Sequence, residues 1–352
     1  MKTLTFFLLT IGFVIGFRAV APADEVEVEL GAEAGLVANL SSFMGAEVGD
    51  MPTSMKYAGK AANEKKTATA DVGLAGGEDE VVKRISTVQH LGRPHFRIRT
   101  STAVYLYDPR AGGFSSIFDK LGNDWVDYGD DAAAEYPAAA ATAYRGVPNL
   151  VFGGDDDGVG HPGSTKCESR VTRRNQITTV SLSGEWEWRW TFYRTSARLD
   201  VVRTPEDANY WFLYEGPIGG KYRPRSTFWA TDLSEPSFDI QDHYRNDIYR
   251  GRHRYIFMGE RQNPYAFFML QATPDTHPDH LSHLGNEEIG ALNSPDGMVV
   301  AGFGRAEDAK PLLTGTNTFL IGLTRYNAAD PLSVLRTRRR IEKIARKRGK
   351  VK

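Results

Sequence analysis

Glu185-Trp186-Glu187-Trp188-Arg189-Trp190-Thr191-Phe192 is the stretch whose reading decides the fold. A strand turns alternate side chains to opposite faces. That period places Trp186, Trp188, Trp190 and Phe192 on one side and Glu185, Glu187, Arg189 and Thr191 on the other. Two readings of the indole row stand side by side. Large aromatics bury the most area in a sheet core. Flat indole faces can also stack on sugar rings, which makes Trp188 a candidate substrate contact. If the indoles are core, the charged face lines solvent or a cleft.

Outward from this strand the same texture repeats. Val81–His90 and His95–Tyr107 are dense in β-branched and aromatic residues around Leu91-Gly92-Arg93-Pro94, which predicts strand, turn and strand. Phe96, Ile98, Thr100, Thr102, Val104 and Leu106 then share a face. Further strand-sized runs are Phe114–Asp119, Ile177–Ser183, Arg198–Arg203, Tyr210–Tyr214, Tyr255–Gly259, Ala266–Gln271, Met298–Phe303 and Thr318–Arg325. Gly, Pro, Asn and Asp punctuate them, and no long 3.6-residue period precedes Pro331. Short strands without intervening helices predict an all-β fold, an antiparallel β-sandwich with few helices. The domain reading is a leader at 1–23, one sandwich at 24–330 and a basic tail at 331–352, its helix included.

The leader reading rests on Lys2, the apolar run Leu4–Phe17 and the small residues Ala19-Val20-Ala21-Pro22-Ala23. Charge, apolar stretch and small-residue site follow the order of an export signal. The expected location is secreted or periplasmic. The run is shorter than the roughly 20 residues a spanning helix needs, and no later segment is apolar enough, so no transmembrane segment is expected in the mature chain. The single cysteine, Cys167, excludes a disulfide-stapled fold.

Charge is unevenly placed. Arg336–Lys352 holds ten Lys or Arg against one Glu, so it carries +9 and the rest of the chain −10 of a total of −1. An acidic body argues against nucleic acid as a partner. The tail reads as a solvated helix that can touch a polyanion or a membrane surface.

Candidate chemistry sits in loops and at strand ends. Tyr144–Leu150 and Gly153–Gly163 form a glycine-rich loop that presents Arg145, Asp155, Asp156, Asp157 and His161. Arg145 can clamp a carboxylate, and His161 can exchange a proton near neutral pH. Tyr214 and Glu215 close a strand before Gly216 and are candidate acid and base. His243, Tyr244 and Arg252 lie in basic islands suited to an anionic sugar polymer. His277, Asp279 and His280 are the densest ligand-type cluster, with zinc as the fitting ion. Calcium fits the loop aspartates. No established metal spacing is matched, so no cofactor is assigned.

The segments Phe118–Trp125, Tyr144–Leu150, His161-Pro162-Gly163, Trp211–Gly216 and Gly302–Arg305 resemble a group of exported bacterial proteins associated with glycan degradation. By strand pattern and aromatic content the chain also resembles the galactose-mutarotase-like supersandwich, which polysaccharide lyases share. The resemblance implies a carbohydrate polymer or oligosaccharide as partner. It leaves three functions open: a lyase on a uronic-acid glycan using Arg145, His161 and Tyr214; a glycoside hydrolase using Glu215 and Asp157, or a mutarotase-like enzyme; and a non-catalytic sugar-binding envelope protein using the indoles.

Overall fold

The structure is a computed structural model. It describes residues 82, 84–126, 150, 166–242, 249–283, 297–306 and 310–350, with the backbone alone at 3–10, 13–20, 127–128, 144–145 and 284. The chain divides into two compact units, Met1–Val72 and Gly73–Lys352. In the first, β1 (Thr3–Thr10) pairs antiparallel with β2 (Phe13–Val20), with Phe6 opposite Phe17.

The second unit is built from strand after strand. They are β3 (Ser86–His90), β4 (Arg93–Arg99), β5 (Ala103–Asp108), β6 (Gly113–Asp119), β7 (Asp127–Tyr128), β8 (Tyr144–Arg145), β9 (Cys167–Arg173), β10 (Gln176–Ser181), β11 (Glu187–Phe192), β12 (Ala197–Arg203) and β13 (Phe212–Gly216). They continue as β14 (Thr227–Thr231), β15 (Tyr249–Gly251), β16 (Tyr255–Glu260), β17 (Tyr265–Gln271), β18 (Asp279–Leu284), β19 (Met298–Phe303) and β20 (Thr318–Arg325), before the helix α1 (Ser333–Arg348). An eight-stranded sheet runs β14-β16-β17-β20-β12-β11-β10-β9. Two four-stranded sheets run β3-β4-β5-β6 and β13-β19-β18-β15. Among the described residues every pairing between these strands is antiparallel. The all-β sandwich is therefore the fold. Among the described residues no helix is long and apolar enough to cross a membrane.

The core lies between the sheets. Trp186, Trp188 and Trp190 are fully buried on the inner face of the large sheet. Phe114 from the β3–β6 sheet meets Trp190 edge-on at 4.8 Å. Phe212 from the other small sheet stacks on Phe319 at 4.5 Å. Close packing sets the residue opposite Trp188. A Cβ on Gly112 would stand 2.4 Å from the indole, and Gly112 has φ of +75°. Only glycine meets both demands. The Trp188 Nε1–H donates to the Gly112 carbonyl at 3.0 Å, which satisfies a donor that burial removes from water.

Two local features depart from expectation. The run from His95 to Tyr107 is two strands, because Thr100 folds the chain: its Oγ1 accepts the Ala103 N–H at 2.8 Å. The preceding turn is shorter than expected. Leu91 and Gly92 alone form it, both at positive φ, and Arg93 already pairs with His90. The tail is a helix, as expected, but not a freely solvated one. Ile341 and Ala345 pack with Phe228, Phe257, Phe268 and Leu320 on the outer face of the large sheet. The helix covers the β14-β16-β17-β20 half of that face and leaves the β12-β11-β10-β9 half open.

Candidate functional site

Several strands of the large sheet begin or end at one margin. There β14 runs out at Asp232, β16 is entered through Arg252-His253-Arg254, and β17 leaves through Gln271 toward Asp275 and His277. Asp279 opens β18 beside them. These residues enclose a cleft of about 300 Å³. Three sequence candidates, Arg252 for substrate and His277 and Asp279 for metal, thus come together.

The cleft is built by backbone contacts. The Arg254 N–H donates to Asp232 Oδ1 at 3.1 Å and the Gln271 N–H to the Arg254 carbonyl at 2.9 Å. Asp275 is held by the Gln271 amide at 3.1 Å and the His277 N–H at 2.8 Å. Arg254 reaches Glu342 of α1 at 3.3 Å. Arg252 is exposed at the mouth.

Two buried ionisable groups sit in this cleft with opposite perturbations. Asp279 is 2 % exposed. Burial holds its carboxyl up to about 8; the Gly304 hydrogen bond opposes this and the charge of Asp275 adds to it. It is a carboxylic acid at neutral pH, able to donate a proton. His253 is 6 % exposed, its ring 5.5 Å from Phe303. Burial lowers it to about 4 against the raising effect of Asp275, so it is a neutral imidazole. Neither of its nitrogens has a hydrogen-bond partner among the described residues. Perturbed groups in a concave site mark a functional candidate.

A second cavity, of about 700 Å³, lies on the open half of the outer face. It lies on the charged face opposite the indoles, for which solvent or a cleft was the expectation. Cross-strand register arranges its floor in two rows: Gln176, Thr191 and Arg198, then Arg189, Asp200 and Thr318, the second row continuing beyond the cavity to Thr178. At about 4.8 Å per strand the longer row spans about 14 Å. Asp200 anchors it. Arg198 donates to Asp200 from Nε at 2.9 Å and from Nη2 at 2.7 Å, and Thr318 Oγ1 donates at 2.9 Å. Thr273 lines this groove while Pro274 and Asp275 line the cleft, so the segment after β17 walls both.

The remaining candidates resolve differently. Tyr214 is a core residue. It is fully buried against Phe267 at 4.2 Å, and its hydroxyl donates to the Trp125 carbonyl at 2.6 Å. Burial, with the charges of Asp124 and Glu260, pushes its phenol well above its ordinary value. It cannot serve as the lyase acid. Trp188 is no sugar platform, for the packing reason given above. Glu215 is buried on the opposite face of β13, which faces away from the core. Its row there runs Glu215, Val300 and Ser282. Its charge acts on buried Arg305.

The metal trio is divided: His277 and Asp279 line the cleft, and His280 does not. Asp279 and His280 open the strand β18, so neighbours alternate between its faces. Leu281 and His283 face the core with Asp279, and His283 stacks on Tyr222 at 4.5 Å. His280 takes the other face of β18 opposite Arg250 and is buried there. Among the described residues no group of His, Cys, Asp or Glu is arranged to hold a metal ion. Arg145 is described by backbone alone, paired with Asp127. His161, His243, Tyr244 and the loop aspartates Asp155, Asp156 and Asp157 lie outside the described residues. His253 was legible only as part of a basic island; its burial depends on Phe303, fifty residues on.

Solved structures similar to this chain include galactose-mutarotase-like proteins. One from Lactobacillus casei ATCC 334 is 8% identical, with a TM-score of 0.41, 65% of this chain and 100% of that one covered. A galactose mutarotase related enzyme from Lactobacillus acidophilus is 9% identical, with a TM-score of 0.38 and coverages of 66% and 98%. The α-N-acetylgalactosaminidase NagBb from Bifidobacterium bifidum, in complex with GalNAc, is 10% identical, with a TM-score of 0.42 and coverages of 72% and 39%. No protein-family model and no curated protein matches the chain.

Proposed function

We propose that the protein is an exported carbohydrate-active enzyme that cleaves an acidic glycan by β-elimination, with the glycan lying in the outer-face groove and reacting in the cleft. The observation that carries this reading is that buried Asp279 and buried His253 line one cavity beside Arg252. The groove supplies the binding chemistry. Its hydroxyls, amides and arginines are the groups that bond sugar hydroxyls and carboxylates.

In the proposed step, Arg252 at the mouth neutralises the substrate carboxylate. His253, a neutral imidazole with a free lone pair, takes the C5 proton, and the imidazolium that forms is stabilised by the charge of Asp275. The bond from C4 to the glycosidic oxygen breaks, a C4–C5 double bond forms, and Asp279 delivers its proton to the departing oxygen. Solvent returns both groups to their starting states.

Incubation with a panel of polyuronates tests this through the absorbance of an unsaturated uronate product. The presence of Asp275 beside Asp279 favours hydrolysis as the second reading, since a raised acid and a nearby carboxylate are its requirements. New reducing ends without unsaturation would select it. Export is tested by N-terminal sequencing of protein recovered outside the cytoplasm, with Asp24 expected as the first residue.

A further inference from the structure

A third cavity, of about 370 Å³, lies under the C-terminal half of α1. Among the described residues five cations line it, Arg325, Arg340, Lys343, Lys347 and Arg348, and no acidic residue does. Arg340, Lys343 and Lys347 recur at helical spacing and share one side of α1. The opposite wall is the end of β20 and the β11–β12 turn, with Arg348 held over the Tyr193 ring at 4.1 Å.

The floor holds a second, independent signal. Thr324 Oγ1 and Thr102 Oγ1 are buried and have no hydrogen-bond partner among the described residues. Thr324 is only 5 % exposed. A buried hydroxyl left without a partner costs stability unless something bonds to it. Here both hydroxyls floor a cavity walled by cations.

We propose that this groove is an anion-binding subsite for an acidic glycan chain, whose carboxylate or sulfate groups pair with the helix cations and accept hydrogen bonds from Thr324 and Thr102. The proposal rests on the glycan reading above and extends it, because Tyr193 lines both this cavity and the outer-face groove. A polymer leaving the groove passes Tyr193 into the cationic site. A membrane surface fits less well. The apolar face of α1 is already packed on the sheet through Ile341 and Ala345 and is not available for insertion into a bilayer.

The test is binding of polygalacturonate by calorimetry, with neutral dextran and phosphatidylserine vesicles as the other arms. The triple variant Arg340→Gln, Lys343→Gln, Lys347→Gln is expected to lose affinity for the polymer about tenfold, with a flatter salt dependence. Thr324→Val is expected to weaken polymer binding while leaving the melting temperature unchanged or raised, since the lost hydroxyl bonds only to ligand. Unchanged polymer affinity in the triple variant overturns the proposal. So does affinity of the wild-type chain for vesicles but not polymer, or a lowered melting temperature with intact binding in Thr324→Val. Failure here is separable from failure of the cleft reading. Asp279→Asn that still cleaves, beside a triple variant that no longer binds, removes the cleft chemistry and keeps this subsite.

Discussion

The backbone N–H of Gly304 donates to Oδ1 of Asp279 at 2.8 Å. This contact pins the start of β18 to the end of β19 and fixes a buried carboxyl at the cleft. It stabilises the ionised form only partly, since burial outweighs it and the carboxyl stays up near 8. The stability and the chemistry of the cleft both follow from that balance.

The stability consequence has a definite sign. The folded Asp279 holds its proton to about 8, far above the ordinary carboxylate value of 3.8. Between those values the native state binds more protons than the unfolded state, so this group's contribution falls as pH rises from about 4 to about 8. Asp279→Asn keeps an oxygen for Gly304 and removes the titration. Urea unfolding should therefore show a gain for the variant that grows from pH 5 to pH 8, reaching on the order of a few kcal/mol. An equal difference at both pH values would mean that Asp279 titrates normally.

Tyr214 should behave as a structural residue. Tyr214→Phe removes the hydroxyl that bonds the Trp125 carbonyl and is expected to cost about 1–2 kcal/mol, with turnover of any substrate unchanged below the melting transition. Lost turnover in a variant as stable as the parent would return the phenol to the chemistry.

Trp188 divides packing from recognition. Trp188→Ala should destabilise by about 3–5 kcal/mol, as large core truncations do. Arg189→Gln, on the other face of the same strand, should leave the melting temperature nearly unchanged and weaken binding of uronate oligosaccharides several-fold. Thermal melts and titrations on both variants check the pair. Sugar affinity insensitive to Arg189→Gln would remove the groove from the account.

The sequence made the scaffold legible and the site only in pieces. The strands Met298–Phe303 and Thr318–Arg325 were readable to the residue, because alternating or continuous apolar runs stop where turn residues begin. Thr100 was not readable as a turn. A threonine inside a β-branched run looks like strand, and only its hydrogen bond to the Ala103 N–H reveals the fold-back. β18 was hidden for the opposite reason: Asp279 and His280 read as ligands, and the strand alternation appears only once β15 and β19 pair with the segment. Tyr214 reads as a strand-end acid until Phe267 and Trp125 close over it. The perturbations of Asp279 and His253 come from long-range burial that no local pattern encodes.

The cleft is the central claim, and the pH profile of glycan cleavage by Asp279→Asn beside the parent tests it most directly. Because the proton on Asp279 is required, the parent rate should decline as pH rises through about 8, and the variant should retain less than about a hundredth of it. A variant that cleaves polyuronate at the parent rate, with the parent pH profile, would contradict the account.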